Sequence, residues 1–326
     1  MIDKNAIFKI KTPAEFESLA LKVFKFQFEN NRVYRSFCDL LYIHPTDVKT
    51  SSDIPFLPIQ FFKTRDILST KDAVETTFTS SGTTGSATSK HHVTDLKIYE
   101  QSFNKGFEHF YGKIEDYVIL GLLPSYLERE GSSLIYMVDA MISKSKHAES
   151  GFYLDNISEL KDTLIKLDAK GKKILLIGVS FALLDLVEMH QFNLKNTVIM
   201  ETGGMKGRRK ELIREELHKQ LKAGFGTKEI HSEYGMTELL SQAYSQGHGV
   251  FKCPSWMKVL TRDTEDALTI NTSEKAGGIN VIDLANINSC SFIATQDLGR
   301  VNQDGAFEVI GRFDNSDIRG CNLMVL

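Results

Sequence analysis

The chain has 326 residues, enough for a large hydrophobic core and one or two domains. Its 42% hydrophobic and 25% charged composition is that of an ordinary globular protein, and a net charge of −3 leaves no electrostatic footprint for nucleic acid. No apolar run is long enough to span a membrane, the start is no secretory signal, and four scattered cysteines (Cys38, Cys253, Cys290, Cys321) match neither a disulfide framework nor a zinc site, so a cytoplasmic location is expected.

In chain order, residues 13–44 carry Phe16, Leu19, Ala20, Val23 and Phe24 near helical spacing and predict packing helices. Residues 54–62 contain Pro55 and Pro58, which predicts an extended apolar segment. Next come residues 78–90, with eight Ser and Thr hydroxyls, Gly82, Gly85 and Lys90. Glycine lets the backbone turn N–H groups toward an anion, hydroxyls add donors, and Lys90 supplies a point charge, so this stretch is a candidate phosphate cradle. No Gly-Lys-Ser/Thr closes it, so it is not a Walker A loop, and composition alone describes a flexible loop equally well. His91 and His92 follow, and polar surface is the expected role for both.

From Tyr117 apolar runs alternate with helical patterns. Strands are predicted at 117–123, 173–178 and 197–201, and helices at 132–143, 157–169, 181–190 and 207–222. That alternation predicts an α/β fold with a mostly parallel sheet flanked by helices. Beyond residue 250, short strands are expected near 267–271, 279–283, 290–294 and 306–310, forming a smaller β-rich subdomain.

Three further stretches carry candidate chemistry. Gly178-Val179-Ser180-Phe181-Ala182 lies where an esterase elbow would lie, but Ala182 replaces the second glycine, and Ser180 reads better as a helix N-cap. In Ser232-Glu233-Tyr234-Gly235-Met236-Thr237-Glu238, an aromatic ring, a turn glycine, a hydroxyl and a carboxylate suit a base, a phosphate and Mg²⁺; a capped turn accounts for them as well. Asp297, in Thr295-Gln296-Asp297-Leu298-Gly299, is placed between two strands, with either a ribose or a turn as its task. Gly311-Arg312-Phe313-Asp314 and Ile318-Arg319-Gly320-Cys321 close the chain.

Taken together and in this order, these motifs over residues 78–320 resemble the adenylate-forming superfamily of acyl-CoA ligases, and within it the acyl-protein synthetase (LuxE-like) branch, with phenylacetate-CoA ligases as near relatives. The resemblance implies that Ser80, Ser81, Gly82, Thr83, Thr84 and Gly85, with Lys90, grip the ATP phosphates. It implies that Gly203 and Gly204 lie along adenine, that Tyr234 and Gly235 cover it, and that Asp297 and Arg312 take the ribose. Thr237 would touch the α-phosphate and Glu238 would hold Mg²⁺. Pro124, Ser125, Ser180, Phe181 and Met205 would line the pocket of a carboxylic acid, expected to be a fatty acid.

The superfamily usually continues about a hundred residues beyond the hinge matched by Asp314, in a small domain that supplies an adenylation lysine. The expectation here is that this domain is missing, with Lys90, Lys206, Arg312 or Arg319 as substitutes. The resemblance divides the chain into an α/β core over 1–250, a β-rich part of the same large domain over 251–310, and a hinge-like tail over 311–326. It makes Cys321 the candidate acyl acceptor, activated by Arg319, for hand-off to an acyl-CoA reductase or carrier protein. A carboxylate-CoA ligase and a non-catalytic nucleotide-binding partner are the alternatives.

Overall fold

The computed structural model describes residues 2–80, 88–123, 131–153, 156–203, 212–272 and 274–313. A short helix α1 (Lys4–Ile7) precedes α2 (Pro13–Asn30). The start of α2 is set by local chemistry: Thr12 accepts from the amide of Glu15, Glu15 bonds back to Thr12, and Pro13 sits where its missing N–H costs nothing. Asn31 then breaks the predicted helical stretch in two and caps α3 (Arg32–Leu40), accepting from the amide of Tyr34 at 3.0 Å. The proline-bearing segment runs extended into β1 (Leu57–Pro58) and turns into α4 (Phe61–Thr64).

A hairpin of β2 (Thr76–Thr79) and β3 (Lys90–Val93) brackets the hydroxyl-rich loop. Then follow α5 (Leu96–Tyr111), β4 (Val118–Leu122), α6 (Ser133–Ser145), β5 (Gly151–Phe152), α7 (Ile157–Ala169), β6 (Ile174–Gly178), α8 (Ser180–Met189), β7 (Thr197–Thr202), α9 (Arg214–Phe225), β8 (His231–Tyr234) and β9 (Ala243–Ser245). Their strands form one six-stranded sheet in the order β5-β4-β6-β7-β8-β9, parallel except for β9. Every residue of β4 and β6 is buried, the physical reason these segments read as unbroken apolar runs. The helix predicted at 207–222 is described from Arg214 and continues to Phe225. It stops at Gly226, whose φ of 68° is left-handed and whose added Cβ would lie 2.7 Å from the carbonyl of Phe192.

The second sheet contains β10 (Val250–Phe251), β11 (Met257–Arg262), β12 (Gly277–Asp283), β13 (Phe292–Val301) and β14 (Phe307–Arg312), ordered β10-β14-β13-β12-β11, with β1 parallel to β13. It corrects two expectations. Residues 267–271 are no strand beyond a single bridge at Ile270, because the Asp266 carboxylate accepts from the Leu268 amide and the Thr269 hydroxyl and holds the chain in a turn. The strand lies instead at β11, where Met257, Val259 and Thr261 alternate inward. Asp297 stands inside β13 rather than between strands. A register shift at Leu298 and Gly299 carries the strand onward, and a Cβ on Gly299 would meet the Glu308 carbonyl at 2.4 Å.

The two sheets meet where Tyr244, in β9, bridges Lys252 next to β10. On the other flank, buried Gln27 of α2 donates to the carbonyls of Asn286 (3.1 Å) and Ile287 (2.9 Å) and accepts from the Ser291 amide (2.9 Å). Helix α2 thereby holds the loop between β12 and β13 in place.

Candidate active site at the seam of the two sheets

Tyr234 ends β8 and points at the second sheet. Its hydroxyl donates to Oδ2 of Asp297 at 2.8 Å, and its ring stands edge-on to Phe307 and Phe251, which stack on each other 5.3 Å apart. Arg312 is the cross-strand partner of Asp297, with Nε 3.8 Å from Oδ1. Behind them Arg262 donates to the carbonyls of Ile279 and Thr295, so its charge is fixed under the same carboxylate. Burial pushes the Asp297 carboxyl up, opposed by the Tyr234 hydroxyl and then by Arg312 and Arg262.

Glu238 lies in the turn after Tyr234 and is 5% exposed. Burial raises its carboxyl, while a hydrogen bond from the Ser89 side chain and the charges of Arg312 and Lys63 lower it. Ser89 closes the hydroxyl-rich loop: its amide donates to Oγ of Ser80 at 2.9 Å, and the Ser80 amide donates to its carbonyl at 3.1 Å. The base of the loop therefore sits beside Glu238, and Glu238 and Asp297 share the field of Arg312.

Sequence reasoning missed the residue that locks this turn. His91 is not polar surface. It is buried, its Nδ1 donates to the Thr237 carbonyl at 2.8 Å, and the side-chain amide of Asn286 lies 2.9 Å from its Nε2. Asn286 in turn donates to the Glu238 carbonyl at 2.8 Å. Burial lowers the His91 pKa to about 4, opposed by its bonds to Thr237 and Asn286. The sequence Lys-His-His-Val carries no mark of this; the alternating burial of β3, with His91 and Val93 inside and Lys90 outside, shows only in the fold.

At the end of β7, Gly203 has a left-handed φ of 72°. Ser180 is not an N-cap. Val179 holds that position, and Ser180 Oγ lies 2.7 Å from the Gly203 carbonyl and 3.2 Å from Oε2 of Glu201, pinning the strand end to α8. Phe181 beside it is buried, Lys90 is exposed on β3, and Gly235 and Thr237 are half-buried in the turn. Ser81, Gly82, Thr83, Thr84, Gly85, Pro124, Ser125, Gly204, Met205, Lys206, Asp314, Arg319 and Cys321 lie outside the described residues. The described ones form two neighbouring groups: Tyr234, Asp297, Arg312, Glu238 and the Ser80–Ser89 closure at the seam, and Ser180 with Gly203 at the end of the parallel sheet.

Buried Glu238, half-buried Asp297, the Arg312 guanidinium and the Ser80–Ser89 closure lie in one region, an arrangement that suits a ligand with sugar hydroxyls and a charged group. Glu238 offers one buried oxygen ligand to a divalent cation, and no cluster of three or more His, Cys, Asp or Glu able to hold one stands beside it among the described residues.

The profile of the family described as acyl-protein synthetase, LuxE, matches residues 11–326. No curated protein matches the chain. Among solved structures, a 2-hydroxyisobutyryl-CoA ligase in the postadenylation state with 2-HIB-AMP superposes with a TM-score of 0.67 at 11% identity, over 93% of this chain and 68% of that one. ATP-bound MatB from Rhodopseudomonas palustris gives a TM-score of 0.54 at 15% identity over 74% of this chain. The match covers 48% of MatB, so this chain spans about half of that protein. The fold is that of adenylate-forming enzymes.

Proposed function

Because the chain belongs to the acyl-protein synthetase (LuxE) family, we propose that it activates a carboxylic acid with ATP and passes the acyl group to a protein thiol. The observation that carries this reading is the convergence of Tyr234, Asp297, Arg312, Glu238 and the Ser80–Ser89 closure on one seam. Adenine would lie along Gly203 and Tyr234, and the ribose hydroxyls would take over the Asp297 carboxylate from the Tyr234 hydroxyl. The loop with Lys90 would hold the phosphates and Thr237 would face the α-phosphate. Glu238 would hold Mg²⁺, which neutralises charge on the phosphate oxygens.

In the first half-reaction a carboxylate oxygen bonds to the α-phosphorus, the bond to the bridging oxygen breaks, and pyrophosphate leaves. A thiolate then attacks the acyl carbonyl and AMP departs. Cys321 is the proposed acceptor, with Arg319 stabilising its thiolate, and an acyl reductase or carrier protein the proposed next partner. Pocket roles for Pro124, Ser125, Ser180, Phe181 and Met205 belong to the same proposal.

Isotope exchange between pyrophosphate and ATP, driven by a panel of carboxylic acids, tests it. Acid-dependent exchange is expected, falling at least tenfold in Asp297→Asn and Glu238→Gln, in line with the loss of charged contacts to a bound nucleotide. A hydroxylamine-sensitive acyl adduct should vanish in Cys321→Ser. Exchange with no acid at all would overturn the reading, and an adduct that survives in Cys321→Ser would move the acceptor elsewhere.

A further inference from the structure

On β8 the side chains alternate, so Glu233 points away from the face that Tyr234 shares with Asp297. Its neighbours differ from those of the other buried carboxylate. Glu201, on β7, has Arg214 and His218 each 3.6 Å from Oε1, and Ser180 donates to its Oε2. Burial would raise the Glu201 carboxyl, but His218, Arg214 and Ser232 outweigh it and hold it low. Glu233 has no ion pair among the described residues. Thr202 donates to its Oε2 at 2.5 Å, and the phenols of Tyr99 and Tyr244 are the nearby titratable groups besides Glu201.

Gln242 is 5% exposed, and its Oε1 is buried with no hydrogen-bond partner. A buried acceptor left unpaired carries a large desolvation cost, so it marks a place where a donor belongs. Its position is rigid: the amides of Leu240 and Ser241 both donate to Oδ2 of Asp283, and the Trp256 indole donates to Oγ of Ser241. Gly235 shows that the two groups converge. A Cβ built there would stand 2.3 Å from Oε1 of Glu233 and 3.4 Å from Cγ of Gln242, so both side chains reach this glycine, and any larger residue would displace the Glu233 carboxylate.

We propose that Thr202, Glu233 and Gln242 form an acceptor notch for the acid substrate, and that this acid carries a hydrogen-bond donor, a hydroxyl or an ammonium group, rather than a plain alkyl chain. The inference rests on the acid-activation reading above. The notch lies on the face of β8 opposite Tyr234 and Asp297, so it is separate from the proposed nucleotide contacts, yet Gly235 places it against the turn that holds Glu238. Two acceptors select for a donor, whereas a methyl group there would leave the Gln242 carbonyl unpaired.

The test is acid-dependent pyrophosphate exchange with matched series of alkanoic, hydroxyalkanoic and aminoalkanoic acids, on the full chain. At least one donor-bearing acid is expected to exceed the plain acid of equal length by tenfold or more in kcat/KM. Which series wins separates hydroxyl from ammonium. In Gln242→Leu that ratio should fall at least tenfold, with thermal denaturation reporting whether the variant is folded. Plain alkanoates that match or beat every donor-bearing acid in the wild-type protein would overturn the notch while leaving acid activation standing. Exchange with no acid of any series would overturn activation, and the notch with it.

Discussion

The Tyr234–Asp297 pair is the narrowest point at which chemistry and fold meet. A half-buried carboxylate needs donors on its inward side, and here one comes from a phenol on the other sheet. Tyr234→Phe should therefore destabilise the protein by about 1 kcal/mol, the net worth of one hydrogen bond to a half-buried acceptor that keeps Arg312 beside it, as read by denaturant unfolding. An unchanged midpoint would mean that solvent already satisfies Asp297. Glu233 yields a pH prediction. Burial raises its pKa to about 7, with Glu201 as the charge facing it and the Thr202 hydroxyl opposing, so the folded state binds a proton more tightly than the unfolded chain. The stability this contributes is complete below pH 4.5 and is lost as pH rises through 7, amounting to roughly 3 kcal/mol at most. Glu233→Gln should remove that dependence, so its melting temperature should gain on the wild type between pH 5 and 8. A constant gap across this range would contradict the assignment.

Elements place these residues more than their own sequence does. Helices α8 and α9 pack so closely that a Cβ on Gly224 would lie 2.3 Å from Cβ of Val187. Gly224→Ala should cost about 1–3 kcal/mol by overpacking, measurable as a lower urea midpoint at unchanged slope. Gln27 acts at longer range, fixing the loop that carries Asn286 and hence the backbone of Glu238. Gln27→Leu strands the Ser291 amide and two carbonyls, for about 2–4 kcal/mol, and should weaken nucleotide binding as well as stability. Nucleotide affinity equal to wild type in the folded variant would show that this loop does not position the site.

These contacts also mark how far the sequence is legible. Buried parallel strands announce themselves, since β4 and β6 are apolar on both faces and β7 is so through its middle, and each lies within a residue or two of its predicted bounds. The order of motifs from the hydroxyl-rich loop to Arg312 was equally plain, because each motif is local in the chain. Residues whose role is made by distant partners were not legible. His91 looks like any surface histidine until Thr237 and Asn286, 146 and 195 positions away, enclose it. Glu233 reads as one polar residue of a turn until Gly235 and Gln242 fold around it. Asp297 was misplaced for a local reason, since a glycine that permits a register shift carries the same letter as a glycine that ends a strand.

At the scale of the whole molecule, a six-stranded parallel-rich sheet and a six-stranded, mainly antiparallel sheet are joined at one seam, and the proposed nucleotide site is built from both. Tyr234 and Glu238 come from one, Asp297 and Arg312 from the other, so neither sheet alone assembles the site. No helix among the described residues is long and apolar enough to cross a membrane. The central claim is that ATP lies across this seam. Photolabelling with an azido-adenine analogue of ATP, followed by peptide mass spectrometry, tests it most directly. The label should fall on peptides containing Gly203 or Tyr234 and be competed by ATP. Competed labelling confined to peptides remote from the seam, such as α3 or α7, would contradict the account.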